Sequence, residues 1–317
     1  PEHGRDYETL RRNADSAMYQ IKSGTKGGAV IFDLQIGQMI NERMKLEQRL
    51  RLAVRDGRFR CAFQPKVDIM TQEVVGVEAL IRLLDEDGVL QTPGSFINLA
   101  VELGLIDTLA HMALDQIISS IDILNDAFGP QATISVNVAA KQATDVGFMR
   151  SFVETLKETG YPERFMVEVT EDAFLAKGIF QGQVLPLLRD IGVRVSIDDF
   201  GTGYSSLSAL AEITADEIKI DRSFITDIHQ RARSQSVLKA IESLGDALGM
   251  TVIAEGVETF EELAYLRTMT RIRLAQGYYF ARPLFFEDFA SVHRSANTPR
   301  STFRDVGGAQ RTRSRSR

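Results

Sequence analysis

Short apolar segments alternate with helical patterns along residues 58 to 290 of this 317-residue chain. The apolar segments are rich in β-branched side chains, which is typical of buried strands. We predict these strands: Cys61–Gln64, Val74–Leu80, Thr133–Asn137, Phe165–Val169, Val193–Ile197, Glu217–Ile220, Thr251–Ala254 and Gly277–Phe280. Helical periodicity is clearest in Leu103–Phe128 and in Gln230–Leu248, which Gly249 closes. Strand–helix alternation over about 230 residues predicts a parallel α/β sheet closed into a (β/α)8-type barrel.

The first two predicted strands break this rhythm. Only the segment Lys66–Glu73 separates them, which is the length of a hairpin connection. A parallel crossover needs a dozen residues or more. We therefore predict that the barrel contains one antiparallel strand.

The two ends of the chain differ from the barrel pattern. The pattern of residues 1–34 predicts a helix over Tyr7–Lys22 and a strand over Ala29–Asp33. Because one helix and one strand cannot make a domain, we expect these residues to be the end of a larger domain. Residues 35–57 predict an amphipathic connector helix that stops near Gly57; a signalling helix and an ordinary docking helix both fit this pattern. Residues 298–317, with the basic run Arg311–Arg317, predict a disordered, solvated tail, for which contact with an anionic partner is the alternative.

Charged or amide side chains recur where the predicted strands end. They are Glu78, Asn137, Glu168, Asp198, Asp199, Lys219, Glu255 and Gln276. Each one alone is consistent with an ordinary surface or snorkelling role. Because parallel strands of a barrel end on one face, their recurrence predicts a common site at that face.

The adjacent pair Asp198 and Asp199 follows the predicted strand Val193–Ile197 and precedes a glycine-rich turn. Strand alternation points neighbouring side chains to opposite faces, so we expect the strand to end before the pair. Two neighbouring carboxylates repel unless a cation or a shared proton neutralises them. A loop with a helix cap is the alternative interpretation.

Composition restricts the chemistry of such a site. Cys61 is the only cysteine and the four histidines are scattered, so a metal site needs oxygen ligands, which favours Mg²⁺ or Mn²⁺. A formal net charge of −6 argues against binding to polymeric nucleic acid or to an anionic membrane. Without a signal peptide or an apolar run of about 20 residues, we expect a cytoplasmic fragment that does not enter a membrane, which leaves open membrane attachment of a longer protein.

A series of motifs resembles the EAL family of cyclic di-GMP phosphodiesterases. In order they are Gln64-Pro65, Glu78-Ala79-Leu80-x-Arg82, Asn137, Glu168-x-x-Glu171, Asp198–Ser206, Lys219-Ile220-Asp221, Glu255-Gly256-Val257-Glu258, and Gln276-Gly277-Tyr278 followed by Pro283. The resemblance implies a modified TIM-like (β/α)8 barrel over residues 58–297 that hydrolyses cyclic di-GMP to linear pGpG in bacterial second-messenger signalling. The run Asn13–Tyr19 resembles the end of a GGDEF domain, but the GG[DE]EF signature is absent, so we expect no cyclase activity.

The resemblance also implies a role for each matching residue. Two Mg²⁺ or Mn²⁺ ions would be bound by Glu78, Asn137, Glu168, Asp198, Asp199 and Glu255, and Ca²⁺ would inhibit. Lys219 would position or deprotonate the nucleophilic water, within a catalytic group that includes Glu255, Asp198 and Asp199. Substrate would be contacted by Gln64, Leu80, Arg82, Gln276 and Pro283. Glu171 would anchor the Asp198–Ser206 loop, which in the family contributes to a homodimer, while Asp221 and Glu258 would support the ligands.

The sequence departs from the family pattern at Phe63, Leu83, Asn98 and Ala139. None of these positions is an implied metal ligand, so we expect an effect on substrate affinity or loop coupling rather than loss of turnover. One alternative function is a receptor that binds cyclic di-GMP without hydrolysis and signals through residues 35–57. Another is an unrelated metal-dependent barrel hydrolase.

Overall fold

The computed structural model describes residues 5–23, 32–175, 178–201 and 214–289. The chain divides into two compact units. The larger unit contains Phe59–Arg82 and the chain from Ile106 onward, and it holds the barrel. The smaller unit contains the chain up to Arg58 together with Leu83–Leu105, a segment that the sequence analysis placed inside the barrel domain.

Nine strands are described. They are β1 (Phe59–Asp68), β2 (Val74–Leu84), β3 (Leu90–Gln91), β4 (Thr133–Asn137), β5 (Phe165–Thr170), β6 (Arg194–Phe200), β7 (Glu217–Ile220), β8 (Thr251–Ala254) and β9 (Leu274–Ala275). Eight of them close a ring in the order β1, β9, β8, β7, β6, β5, β4, β2, and β2 returns to β1. Each strand is parallel to the next in the series β2, β4, β5, β6, β7, β8, β9, whereas β1 is antiparallel to β9. The predicted barrel with one antiparallel strand is confirmed.

Two predicted elements differ in the structure. The final strand is Leu274–Ala275, and the predicted strand Gly277–Phe280 is wrong, because the carbonyl of Gly277 accepts from the amides of Phe280 and Ala281 and closes a turn. A short apolar run does not distinguish a strand from a buried turn. The predicted helix Leu103–Phe128 is divided into Ile106–Ser119 and Ile121–Phe128, and Gly104, with φ of 70°, lies before the first of them.

Helices follow most strands of the barrel unit. Those described in this unit are Ile106–Ser119, Ile121–Phe128, Ala140–Ala143, Val146–Glu158, Glu171–Leu175, Leu185–Asp190, Arg222–Ile225, Ala232–Leu248 and Phe260–Met269, with a 3-10 turn at Pro162–Arg164 and a π-helical turn at Phe180–Val184. The helix Val146–Glu158 shows how they pack: Asp145 caps its first turn by accepting from the amides of Gly147 and Phe148. Phe148, Phe152 and Leu156 then recur every four residues on one buried face.

The interior of the barrel is polar, unlike the apolar layer outside it. Buried polar side chains alternate with apolar ones along the strands, as the period of two requires. On β5, Glu168 lies between the buried Val167 and Val169, and on β7, Lys219 lies between Ile218 and Ile220. Polar groups buried in this way must find partners inside the protein.

The smaller unit contains the helices Tyr7–Ser23, Leu34–Arg55 and Ile97–Glu102, a 3-10 turn at Pro93–Ser95, and β3 paired with Leu83 and Leu84. Asp33 caps the second helix by accepting from the amide of Gln35 at 2.8 Å. The predicted strand Ala29–Asp33 is therefore not found at Phe32 and Asp33, and its first three residues lie outside the described residues.

The predicted connector over residues 35–57 corresponds to the helix Leu34–Arg55, which ends just before Gly57, where φ is 63°. In the described part of the chain, we find no helix with the length and apolar character that a membrane span requires. The predicted tail, residues 298–317, lies outside the described residues.

Candidate active site

Lys219 lies at the centre of the site. Its ammonium nitrogen, carried by β7, is 2.6 Å from Oε2 of Glu168 and 2.7 Å from Oε1 of Glu255. It is also 3.0 Å from Oδ1 of Asp198 and 3.4 Å from Oε2 of Glu78. These carboxylates come from β2, β5, β6 and the segment directly after β8. Residues far apart in sequence meet because parallel strands end on one face of the barrel.

Amide side chains hold both oxygens of the Glu78 carboxylate. Nδ2 of Asn137 donates to Oε1 of Glu78 at 2.7 Å, and Nε2 of Gln276 donates to Oε2 at 2.6 Å. The same Gln276 nitrogen donates to Oε1 of Gln64 at 3.1 Å, and Gln64 in turn donates to the carbonyl of Ala281 at 3.1 Å. This chain of hydrogen bonds restricts the orientation of the Glu78 carboxylate.

Asp198 and Asp199 lie within an irregular part of strand β6, not after its end, and both contribute to one site. The expectation that the strand stops before them is wrong, since β6 continues to Phe200. Its register with β7 shifts between Ile197 and Phe200, and Asp199 has φ of 54°. This irregularity interrupts the alternation of side chains. Asp198, Asp199 and Glu255 each offer a carboxylate oxygen, and these oxygens lie within 4.8 Å of one another.

The donor set of this cluster fits a hard divalent cation, because three carboxylates converge and Mg²⁺ or Mn²⁺ prefers oxygen ligands. The remaining implied ligands lie beside it. Glu78 and Glu168 contact Lys219, and Asn137 contacts Glu78. The structure thus brings all six implied metal ligands to one end of the barrel.

Burial and crowding of the carboxylates shift the pKa values of Glu255 and Asp199. Burial, with repulsion from Asp198 and Glu78, raises the pKa of Glu255 to about 8, although Lys219 opposes the shift. Burial and the neighbouring Asp198 and Asp221 also raise the pKa of Asp199. Burial would lower the pKa of Lys219, but the surrounding carboxylates outweigh burial and raise that pKa well above its ordinary value. The site has excess negative charge, and Lys219 is an ammonium ion.

A cleft of about 230 Å³ opens over this cluster. Its lining residues are Gln64, Glu78, Leu80, Asp198, Lys219, Arg222, Glu255, Gly256, Glu258, Gln276, Gly277 and Tyr278. Three of the implied substrate contacts, Gln64, Leu80 and Gln276, are therefore in the wall of the cleft. Arg82 and Pro283 are not among these lining residues. Arg82 is partly buried, and its Nη1 donates to the carbonyl of Ile81 at 2.9 Å.

The three implied supporting residues make distinct contacts. Oε2 of Glu171 accepts from the amide of Gly201 at 3.0 Å, at the start of the Asp198–Ser206 loop, whose remaining part lies outside the described residues. Asp221 caps the short helix Arg222–Ile225 by accepting from the amide of Ser223 at 3.0 Å. Glu258 pairs through Oε1 with Nη1 of Arg222 at 3.1 Å.

Sequence reasoning missed several residues of the site. Lys66, two positions after Gln64 on β1, bonds to Glu168, and Arg222 lines the cleft. Tyr278, noted only as part of a motif, also lines the cleft. Gly256 was noted only as part of a motif, yet it has φ of 68°, and a Cβ there would lie 2.4 Å from Cγ of Arg222. Period-two spacing from Gln64 was a signal for Lys66, because residues two apart share a face of a strand.

The fold and the site define an α/β barrel with an acidic cluster at the carboxyl ends of its strands. The sequence profile of the EAL domain family matches residues 47–283, and the chain belongs to this family. The signaling protein YkoW of Bacillus subtilis is 36% identical over 290 residues, covering 91% of this chain and 36% of YkoW. Cyclic di-GMP phosphodiesterase PdeR of Escherichia coli is 35% identical over 285 residues, covering 90% of this chain and 43% of PdeR.

A solved structure of the PaMucR phosphodiesterase in complex with c-di-GMP has the same fold. Its TM-score is 0.72 at 33% identity, and the match covers 77% of this chain and 99% of that one. The present chain spans less than half the length of the two relatives above.

Proposed function

We propose that this chain hydrolyses cyclic di-GMP to linear pGpG with two Mg²⁺ or Mn²⁺ ions. The observation that carries the proposal is the meeting of Glu78, Glu168, Asp198 and Glu255 around Lys219 beneath an open cleft. The relative PdeR, which is called a cyclic di-GMP phosphodiesterase, and the PaMucR complex with c-di-GMP support the choice of substrate.

The ions would be held by Glu78, Asn137, Glu168, Asp198, Asp199 and Glu255. When bound, such ions supply positive charge for the phosphate and activate a water for attack. Other residues of the chain orient these ligands. Asn137 and Gln276 donate to the two oxygens of Glu78 and keep its carboxylate in place. The raised pKa values of Glu255 and Asp199 indicate that added positive charge would be favourable there.

Lys219 is proposed to position or to deprotonate the attacking water. Without metal ions the surrounding carboxylates outweigh burial and raise its pKa, so it carries a proton and donates hydrogen bonds. The two proposed cations beside it would lower that pKa, as a role as general base requires.

The cleft residues outside the acidic group also suit a dianionic cyclic dinucleotide. Arg222 lies in the wall and presents a guanidinium, a group that forks onto phosphate oxygens. Leu80 offers an apolar surface, and the ring of Tyr278 is about half exposed, as base stacking requires. Gln64 and Gln276 add amide groups at the floor of the cleft.

The alternative is a cyclic di-GMP receptor without turnover that signals through the connector helix. Each implied metal ligand and Lys219 is present in the sequence, which favours the enzyme. The deciding experiment incubates the chain with cyclic di-GMP and Mg²⁺ or Mn²⁺, with and without EDTA, and separates the products by chromatography. We expect pGpG only with the metal and no turnover from Glu78→Gln. Tight binding of cyclic di-GMP without pGpG would support the receptor instead.

Four further expectations belong to this proposal. Ca²⁺ should inhibit, because its larger and looser coordination holds a nucleophile poorly. The barrel should form a homodimer, and the protein should act in the cytoplasm. Residues 1–34 should be the C-terminal part of a GGDEF-like domain in a longer protein, joined by the connector, residues 35–57, to the barrel domain, residues 58–297.

A further inference from the structure

Lys66 is a second buried lysine inside the barrel. Its ammonium nitrogen lies 2.8 Å from Oε1 of Glu168 and 2.9 Å from Oε1 of Glu217, and its side chain is only 2% exposed. Oγ of Ser196 donates to the same Glu217 oxygen at 2.9 Å. Lys66, Glu217 and Ser196 thus form a connected group on three strands, one layer below the cleft.

Glu168 is held between two ammonium groups. Its Oε1 bonds to Lys66 and its Oε2 bonds to Lys219, at 2.8 and 2.6 Å. The side chain of Glu168 has no measurable exposure. One carboxylate oxygen therefore faces the acidic cluster, and the other is held from below.

We propose that Lys66 is a positioning residue for the metal site: it holds Oε1 of Glu168 so that only Oε2 is available to a divalent ion. This inference rests on the proposed function, because it concerns the ion that the site would bind. It assigns to Lys66 an effect on metal affinity, and Lys66 is not among the site residues that the family resemblance implies.

One of the two partners of Lys66 is an implied metal ligand. Removing a charge from water is costly, and a buried ammonium needs close, well-oriented partners. Glu217 alone, with Ser196 at its side, offers one such partner for Lys66. The second bond, to Glu168, links this group to the site itself. Partners of metal ligands fix the orientation of those ligands, and their loss typically costs roughly 10–100-fold in metal affinity.

The geometry distinguishes Lys66 from Lys219. Lys219 contacts four carboxylates of the site, so an ion entering the site would compete with it for them. Among the contacts described, Lys66 contacts these four carboxylates only through Oε1 of Glu168. It can therefore keep its hydrogen bond while the other oxygen changes partner.

The test measures Mn²⁺ binding by isothermal titration calorimetry on the metal-stripped 317-residue chain. The main variant is Lys66→Met with Glu217→Gln, which removes one positive and one negative charge together and leaves no buried charge unpaired. The matched control is Glu217→Gln alone, which keeps Lys66 beside Glu168. Circular dichroism and thermal unfolding establish that each variant is folded.

We expect the double variant to bind Mn²⁺ roughly 10–100-fold more weakly than the wild type. We expect the control variant to stay within about threefold, because the Lys66–Glu168 bond remains. Lys66→Gln, which retains an amide donor, is measured alongside and should lie between them, so the result does not depend on the double variant folding. If Lys66→Gln or the folded double variant binds Mn²⁺ as tightly as the control variant does, the inference is overturned and the proposed function is not. No Mn²⁺ binding by the wild type would overturn both the inference and the proposed function.

Discussion

The ammonium nitrogen of Lys219 lies 2.7 Å from Oε1 of Glu255, and both side chains are largely withdrawn from water. Glu168, Asp198 and Glu78 surround the same nitrogen within 3.4 Å. The positive charge of Lys219 therefore faces several negative ones, of which only Glu168 is also paired with Lys66 among the contacts described. The balance of charge at this point governs both the stability of the barrel and its response to added cations.

Replacing Lys219 should destabilise the metal-free protein. Lys219→Met leaves buried carboxylates without their cation, and breaking a buried ion pair costs about 3–5 kcal/mol. For a domain of this size we expect Tm to fall by roughly 10 °C in EDTA. We also expect Mg²⁺ to raise Tm more in the variant than in the wild type, since the ion can replace the lost charge. Differential scanning calorimetry checks this, with exposed Lys239→Met as the control. An unchanged Tm in EDTA would contradict the central role of Lys219.

Asp199→Asn should separate metal binding from stability. Asn tolerates the positive φ of 54° that Asp199 adopts, so the backbone is retained. Burial and repulsion from Asp198 and Asp221 raise the pKa of Asp199, so loss of its charge should leave Tm in EDTA equal or slightly higher. Loss of one carboxylate of the cluster should weaken Mn²⁺ binding by about 10-fold or more. Calorimetric titration measures the affinity, and a variant with wild-type affinity would exclude Asp199 as a ligand.

Gly256→Ala should impair the cleft beyond the ordinary cost of a positive φ. Gly256 and Gly249 have nearly equal φ values of 68° and 69°. A Cβ on Gly256 would lie 2.4 Å from Cγ of Arg222, whereas a Cβ on Gly249 would meet nothing within 4 Å. Both variants should lose about 1 kcal/mol of stability from backbone strain. Only Gly256→Ala should raise KM for cyclic di-GMP severalfold, because it displaces Arg222. Equal KM values in the two variants would show that Arg222 does not contact substrate.

Glu262 supplies a pH dependence away from the metal cluster. Its Oε1 accepts from the amide of Asp227 at 3.0 Å, and its Oε2 accepts from the amides of Glu258 and Thr259 at 2.8 and 3.0 Å. Burial would raise the pKa of Glu262, but these hydrogen bonds outweigh burial and lower it. A lowered folded-state pKa adds stability above the ordinary value of 4.5, and this stability is lost as pH falls through the folded-state pKa.

We therefore expect Glu262→Gln to cost about 1–3 kcal/mol at pH 7, because its amide group faces backbone donors. The difference in Tm between the wild type and this variant should shrink as the pH is lowered below 4.5 and through the folded-state pKa, where wild-type Glu262 gains a proton. Thermal unfolding at several pH values measures the difference. The nearby Glu261→Gln, at an exposed position, should show no such trend. A difference that stays constant with pH would contradict the ionised state of Glu262.

The alternation of strands and helices was sufficient to predict the barrel and its antiparallel strand, because period-two burial and connection length are local properties. The candidates at strand ends could be predicted for the same reason, since the position of Glu78, Glu168 and Lys219 relative to an apolar run is also a local property. The turn at Gly277–Phe280 was mistaken for a strand because a short apolar run has the same pattern in both settings.

The sequence by itself determined the class of fold, the set of acidic groups and the oxygen character of any metal site. Only the tertiary structure decided how those groups are paired. It placed Lys219 among four carboxylates, joined Lys66 to Glu168, and brought Asp198 and Asp199 together through an irregular strand. The physical reason is that composition and periodicity are read along one strand, whereas charge balance depends on distances between strands, which closure of the barrel sets.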